Sequence, residues 1–341
     1  MTEAGITEAG PSAAEAIGQL ARARVLVVGD AMLDRYVFGT VGRISPEAPV
    51  PVLMVEQELA EPGGAGNVVH NLCALGAAVA FVSVVGDDPA GAELTGLIGT
   101  QAGVEPWLLV QGGRITTTKT RFVAEGSRRG GQQLLRADHE DSRSIHPKLA
   151  ERLLRIAGDA MAATSLLVLS DYRKGVLAGD MPALLIARAH AAGRQVVADL
   201  RAADFARYAG ADVLMPHASD LLGPGEAADD AAVEAAGQAL RAKHGFGALL
   251  VKRGEDGLSL VDGDGARHFR LYRPDLVDLS GAGDAALAAL AAGLAAGQHL
   301  ALASRLANSA AGLIGATPGS VVARPQDLLA AVALEDAREA G

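Results

Sequence analysis

The sequence predicts an α/β protein built on a mostly parallel sheet, and three observations carry that prediction. From Leu149 onward, short apolar runs alternate with helical stretches at the spacing of strand–helix–strand units. Carboxylates and glycines fall just beyond those runs, at Asp30, Asp171, Asp199 and the turn before Asp284, where the ligands of a parallel sheet bind. Half of the 341 residues are hydrophobic but only 3% are aromatic, so small aliphatic side chains must fill the core, as where helices pack closely on a sheet.

Taken in order, residues 1–20 are acidic and rich in Ala and Gly, and read as a poorly ordered tail; residues 335–341 look the same, leaving 21–334 as a single domain. Val25 to Val28 is a buried first strand ending in Gly29-Asp30, with Asp34 four residues further on. Arg43-Ile44-Ser45-Pro46-Glu47-Ala48-Pro49-Val50-Pro51-Val52 carries three prolines, so it is expected to be an extended or edge segment able to close over a pocket. Glu61-Pro62-Gly63-Gly64-Ala65-Gly66-Asn67 is a glycine turn into a helix. Asn67 there either caps that helix or offers its amide to a ligand. Val79 to Val85 reads as a strand stopped by Gly86-Asp87-Asp88, and Pro89 opens the next helix.

Ile115 to Val123 is β-branched and alternating, hence a strand, and Lys119 and Arg121 share one face of it. Two such cations are either solvated or bind a phosphate. The ribbons near 35–60 and 112–137 interrupt the strand–helix alternation and are expected to form a small lid. Helix at 149–163, strand at 166–170, helix at 182–192, strands at 195–199 and 212–215, helix at 231–243 and strands at 248–252 and 258–261 follow.

Asp278-Leu279-Ser280-Gly281-Ala282-Gly283-Asp284 is the second glycine turn, and the Ala/Leu run behind it is a strong helix former. A helix N-terminus presents free N–H groups and a positive dipole end to an anion. Asp284 among those donors either caps the helix or takes a proton from a substrate hydroxyl.

The formal net charge of −10 argues against general binding to nucleic acid or to an anionic membrane, so an anionic substrate needs a locally basic pocket. The single cysteine, Cys73, suits a reducing cytosol and reads as a buried structural thiol. No apolar run approaches the ~18 residues of a spanning helix. A Walker-type phosphate loop, a Gly-x-Gly-x-x-Gly after the first strand, clustered His/Cys metal spacing and a Gly-x-Ser-x-Gly turn are all missing from the sequence.

With both glycine turns placed, the chain resembles the ribokinase-like (PfkB) sugar kinases from about Val25 to Leu329. Within them, Gly29-Asp30-Ala31-Met32-Leu33-Asp34-Arg35-Tyr36, the Arg43–Val52 string and Ser170-Asp171-Tyr172-Arg173-Lys174-Gly175 resemble the D-glycero-β-D-manno-heptose 7-phosphate kinase group. The resemblance implies a ribokinase-like three-layer fold with a central mostly parallel sheet and a small β lid. It implies ATP-dependent transfer to the C1 hydroxyl of the heptose 7-phosphate. Asp284 would be the base and the Gly281, Ala282 and Gly283 amides the anion hole. Asp34, Gly64 and Asn67 would hold sugar hydroxyls, with Asp171 on the same substrate side. Arg43, Lys119, Arg121 and Lys174 would face the substrate's own phosphate. Asp199, His217, Asp220, Lys252, Gly254, Gly257 and Asn308 would line the nucleotide side, Asp220 holding Mg²⁺ through water.

ATP and Mg²⁺ are the implied cofactors, a monovalent cation such as K⁺ stays open, and a cytoplasmic homodimer paired through the lids is the implied assembly. Another C7 sugar or cyclitol 7-phosphate is the alternative substrate, and a non-catalytic sugar-phosphate-binding regulator the alternative role. The chain departs from the family's Asp-Pro-Lys-Gly at Asp199-Leu200-Arg201-Ala202, from its Asn-x-x-Glu at His217-Ala218-Ser219-Asp220, and from a Thr at Leu279.

Overall fold

A computed structural model describes residues 12–124, 131–201, 203–271, 280–315 and 322–339. The chain opens with α1 (Ala13–Gln19) and β1 (Arg24–Gly29), then forms the long hairpin β2 (Ala31–Ile44) and β3 (Pro51–Gly64). Next come α2 (Ala65–Ala74), β4 (Ala78–Gly86), α3 (Pro89–Gly99), β5 (Val104–Gln111), β6 (Thr118–Ala124) and β7 (Gln132–His139). The regular alternation runs through α4 (Pro147–Ala160), β8 (Leu166–Asp171), α5 (Met181–Ala191), β9 (Gln195–Leu200), β10 (Val213–Met215), α6 (Ala218–Leu222), α7 (Asp230–His244) and β11 (Ala248–Lys252). The antiparallel strands β12 (Leu258–Asp262) and β13 (Gly265–Phe269) follow, then α8 (Ala282–Ala295), α9 (Leu300–Gly315) and α10 (Pro325–Glu339).

Nine strands form one sheet in the order β13-β12-β11-β10-β9-β8-β1-β4-β5, parallel except at the β12–β13 edge. The central strands are apolar throughout because both faces are covered. In β1, Val25 and Val27 point into a core shared with α2, α8, α9 and α10, while Leu26 and Val28 point into a second core beneath α4, α5 and α7. That is the expected three-layer arrangement. The scarcity of aromatics shows in α8, whose alanines and leucines from Ala285 to Ala292 are buried all round.

The lid is one four-stranded sheet, β3-β2-β6-β7, joining the two ribbons. Three readings change. The proline-rich segment is not one extended ribbon: Arg43 pairs with Val52 and Ile44 with Pro51, so residues 45–50 are the turn of the hairpin. Pro46 and Pro49 sit in that turn, where no ladder donor is needed. The strand expected from Ile115 begins only at Thr118, because Thr116 is taken by Asp88, which caps α3 and accepts from Thr116 N at 2.8 Å.

The tails are also shorter than read. Ser12 and Glu15 form a reciprocal capping box that starts α1, and Ala16, Ile17 and Leu20 join the core. At the other end α10 runs through Glu339, with Leu328 and Val332 buried and Glu335 accepting from Ser309 Oγ at 2.8 Å. No helix among the described residues is long and apolar enough to cross a membrane.

Candidate active site

The N-terminus of α8 faces the exits of the central strands. Gly281 stands just before it in the left-handed region, at φ 79°, and a Cβ there would lie 3.2 Å from Asn67 Nδ2. No side chain caps this terminus, so its first amides are placed for an anion. Asp284, one turn in, is 5% exposed. Its Oδ2 accepts from Asn67 Nδ2 at 2.8 Å, and its Oδ1 accepts a short hydrogen bond from the Tyr172 hydroxyl. Asn67 is turned in turn by Asn71, whose Nδ2 donates to Asn67 Oδ1 at 3.1 Å. Burial pushes the Asp284 carboxyl above its ordinary range, against the pull of Arg201, Tyr172 and Asn67. A buried, oriented carboxylate with a raised pKa is what a general base for a sugar hydroxyl needs.

Asn67 is carried there by Gly64, at φ 57°, where a Cβ would approach Asp30 O to 2.6 Å. This close approach of two loops seats α2 against α8. From the lid, cross-strand pairing lays Glu61, Asp34, Lys119 and Asp138 in one row, with Tyr36, Arg121 and Arg136 in the next row on the same face. Arg121 Nη1 donates to Asp34 Oδ1 at 2.7 Å and lies over the Tyr36 ring at 5.1 Å. Lys119 Nζ binds Asp138 at 3.0 Å and Glu140 at 2.8 Å, and Lys174 reaches the same Glu140 at 2.7 Å.

Lys119, Arg121 and Lys174 therefore converge, each already paired with a carboxylate. Arg43 does not join them. It is exposed, nine residues beyond Asp34 on the same strand, roughly 30 Å at the usual rise.

Asp30, at the end of β1, accepts from the backbone N–H groups of Tyr172 (2.9 Å), Lys174 (3.0 Å) and Val176 (3.0 Å). It fixes the loop that delivers Tyr172 and Lys174. Burial, and then the charge of Asp171, push its carboxyl up to about 6. Asp171 itself does not face the cluster: it accepts from the Tyr208 hydroxyl and, at 2.7 Å, from Arg173 N.

On the other flank Asp199, ending β9, forms a buried ion pair with Lys252, ending β11. A Cβ on Gly283 would lie 3.7 Å from Lys252 Cδ, so this pair abuts the α8 terminus. His217 bridges to Lys252 through its backbone. Gly254 and Gly257 shape the turn after β11 with positive φ. Asn308 is buried with its amide in use, accepting from Leu258 N at 3.2 Å and donating to Arg270 O at 3.1 Å. Among the described residues no group of three or more His, Cys, Asp or Glu side chains could hold a metal ion. Asp220 lies half-buried in α6. Leu279 and Asp278 fall outside the described residues.

Two residues at the centre were quoted from the sequence without a role, Tyr172 and Arg201. Arg201 Nη2 donates to the Tyr172 hydroxyl at 3.1 Å and lies 3.9 Å from Asp284 Oδ1. The position of Tyr172 inside the Ser-Asp-Tyr-Arg-Lys-Gly string was the available signal; the contact was not readable. Cys73 is half-buried, and burial pushes its thiol up to about 11, in keeping with a structural role.

A family model described as pfkB family carbohydrate kinase matches residues 22–327. The bifunctional protein HldE of Acidiphilium cryptum is 56% identical over 319 residues, covering 93% of this chain and 65% of that protein. The HldE of Paramagnetospirillum magneticum is 47% identical over 94% of this chain and 66% of its own length. The chain thus spans about two thirds, and slightly less, of these relatives. Among solved structures, phosphofructokinase-2 from Escherichia coli in complex with potassium superposes with a TM-score of 0.76 at 18% identity, covering 92% of this chain and 99% of that one. Arabidopsis thaliana ribokinase complexed with ribose and ATP gives 0.67 at 20% identity over 91% and 98%. These two likenesses show the ribokinase-like fold.

Proposed function

Because the chain belongs to the pfkB family of carbohydrate kinases, we propose that it transfers the γ-phosphoryl group of ATP to the C1 hydroxyl of D-glycero-β-D-manno-heptose 7-phosphate. The observation that carries the mechanism is the Asn67–Asp284 hydrogen bond, 2.8 Å across 217 residues of sequence. It brings both glycine turns to one point, with the lid on one side and the Asp199–Lys252 pair on the other.

Phosphoryl transfer asks for in-line positioning and charge neutralisation more than for covalent help. Asp284 would take the proton of the acceptor hydroxyl, and the Gly281, Ala282 and Gly283 amides would hold developing negative charge. Asp34, Gly64 and Asn67 would orient sugar hydroxyls. Lys119 and Lys174 would meet the 7-phosphate once Glu140 yields them. Closure of the lid would exclude water and limit wasteful hydrolysis of ATP.

Mg²⁺ supplies charge neutralisation on the nucleotide when bound, and it is usually held by substrate phosphates, waters and one or two carboxylates. Asp220 would be the carboxylate to meet that need, through water. A monovalent cation, a cytoplasmic location and a homodimer belong to the same reading. In a dimer Arg43 could reach the partner's site.

The heptose assignment is supported by the N-terminal strings and by the 56% identity to a bifunctional HldE. Its test is ADP release from Mg-ATP with heptose 7-phosphate, a C7-cyclitol 7-phosphate and fructose 6-phosphate in parallel, with products identified by phosphorus NMR. A new anomeric phosphate from the heptose alone is expected. Turnover only of the cyclitol would move the chain to another substrate, and binding without turnover of any would leave a regulator.

A further inference from the structure

The sequence departs from the family strings at Arg201 and at His217, and in the folded chain these two residues touch. Arg201 Nη1 and His217 Nε2 are 2.8 Å apart, while Nη2 of the same fork donates to the Tyr172 hydroxyl at 3.1 Å. We propose that Arg201, held by His217 and Tyr172, sets a guanidinium on the phosphoryl group as it passes from ATP to the acceptor hydroxyl. The inference rests on the kinase reading above and adds a residue to its chemistry.

Position is the first support. Arg201 spans the gap between the base, with Nη2 3.9 Å from Asp284 Oδ1, and the nucleotide flank, where His217 adjoins Lys252. Lys252 is buried in its pair with Asp199 and is not free to follow a moving charge.

Orientation is the second. The guanidinium lies over the Tyr172 ring, 4.8 Å from its centroid. A planar fork can stack on a ring and donate in two directions at once, which a lysine ammonium cannot do.

Chemical match is the third. A guanidinium has only donors, so at 2.8 Å Nη1 donates and His217 Nε2 accepts. Among the described residues Nη1 and Nη2 each serve one of these partners, and each keeps a second N–H for an anion.

In the step itself the acceptor oxygen bonds to the γ-phosphorus as the bond from that phosphorus to the β–γ bridging oxygen breaks. ADP leaves with the electron pair, and the hydroxyl proton goes to Asp284. Negative charge spreads over the three equatorial oxygens of the phosphoryl group, and Arg201 neutralises part of it.

The test compares Arg201→Ala, Arg201→Lys, His217→Asn and the double Arg201→Lys/His217→Asn with the wild type, each checked for folding by circular dichroism. Turnover at saturating substrates is measured across pH. Calorimetry gives the affinity for ADP alone and for ADP with aluminium fluoride and the sugar phosphate, which mimics the phosphoryl group in flight.

Arg201→Ala is expected to lose about 10²–10³-fold in kcat, to bind ADP alone within threefold of the wild type, and to lose the extra tightness of the fluoride complex. The double variant is expected to exceed either of its single components at least tenfold in kcat. An unchanged plateau with only a displaced acid limb would reduce Arg201 to a tuner of Asp284 and overturn the proposal. So would a loss of ADP affinity equal to the loss of turnover, or strictly additive single effects. A wild type that turns over no phosphorylated sugar would instead sink the kinase reading itself.

Discussion

A carboxylate that takes a proton from a sugar hydroxyl must be held still and kept from bulk water, and Asp284 meets both conditions through Tyr172, Asn67 and its burial. Asp284→Asn is expected to lower kcat by about 10² or more while calorimetry shows sugar-phosphate affinity within a few fold; near wild-type turnover would remove it as the base. Glu61 is another residue whose protonation is displaced. Burial, then the nearby Asp34, push its carboxyl up to about 7, with Arg121 opposing, and its Oε2 has no partner. The folded value lies above the ordinary 4.5, so the folded chain holds this proton more tightly than the unfolded one. The linked stability is full below the ordinary value and is lost as pH rises through the folded one. Glu61→Gln should therefore raise the melting temperature relative to wild type at about pH 8 but not at about pH 5. An equal shift at both would mean that Glu61 does not titrate in this range. Asp284 and Asn67 could be read from sequence because each sits in a short glycine string. Tyr172 could not, because its partner lies 112 residues away.

At the scale of elements, the site depends on two turns held by unlike means. The loop after β8 hangs from the buried Asp30 carboxylate by three hydrogen bonds donated by its backbone N–H groups. Asp30→Ala would leave these donors unpaired and is expected to cost roughly 3 kcal/mol or more, read in urea unfolding, with a fall in kcat because Tyr172 and Lys174 lose their support. Stability within experimental error of wild type would show that water replaces the carboxylate. The turn before α8 depends instead on Gly281, at φ 79°. Gly281→Ala is expected to cost roughly 1–2 kcal/mol for the left-handed backbone. It should lower kcat further, since the new Cβ crowds Asn67. An unaffected kcat would show that the turn relaxes without moving the base. The exit of β1 was legible, since an apolar run ending in Gly29-Asp30 is a local signal. The three hydrogen bonds that make Asp30 a loop anchor were not.

At the scale of the whole molecule, the lid exposes apolar side chains, among them Ile44 (62%), Met54 (60%) and Val55 (53%). Apolar side chains exposed along the lid hairpin favour association, consistent with the proposed homodimer. Met54→Glu is therefore expected to shift the protein toward monomer in sedimentation velocity, without loss of helical circular dichroism. An unchanged oligomeric state would place the interface elsewhere.

What the sequence by itself determined was the architecture and the address of the candidate site: a mostly parallel sheet, two glycine turns, a carboxylate at a helix N-terminus and a basic strand beside it. These follow from period, turn chemistry and helix-start signals, which act over a few residues. Only the tertiary structure decided the partnerships. It turned Asp171 toward Tyr208, closed Asn308 on β12 and Arg270, paired Lys119 and Lys174 with one glutamate, and drew Tyr172, Arg201 and His217 together beside Asp284. It also drew α1 from an expected tail into the core and carried α10 through Glu339, past the expected domain end at 334. Each of these depends on which elements the sheet order brings side by side, and chain separation carries no record of that distance.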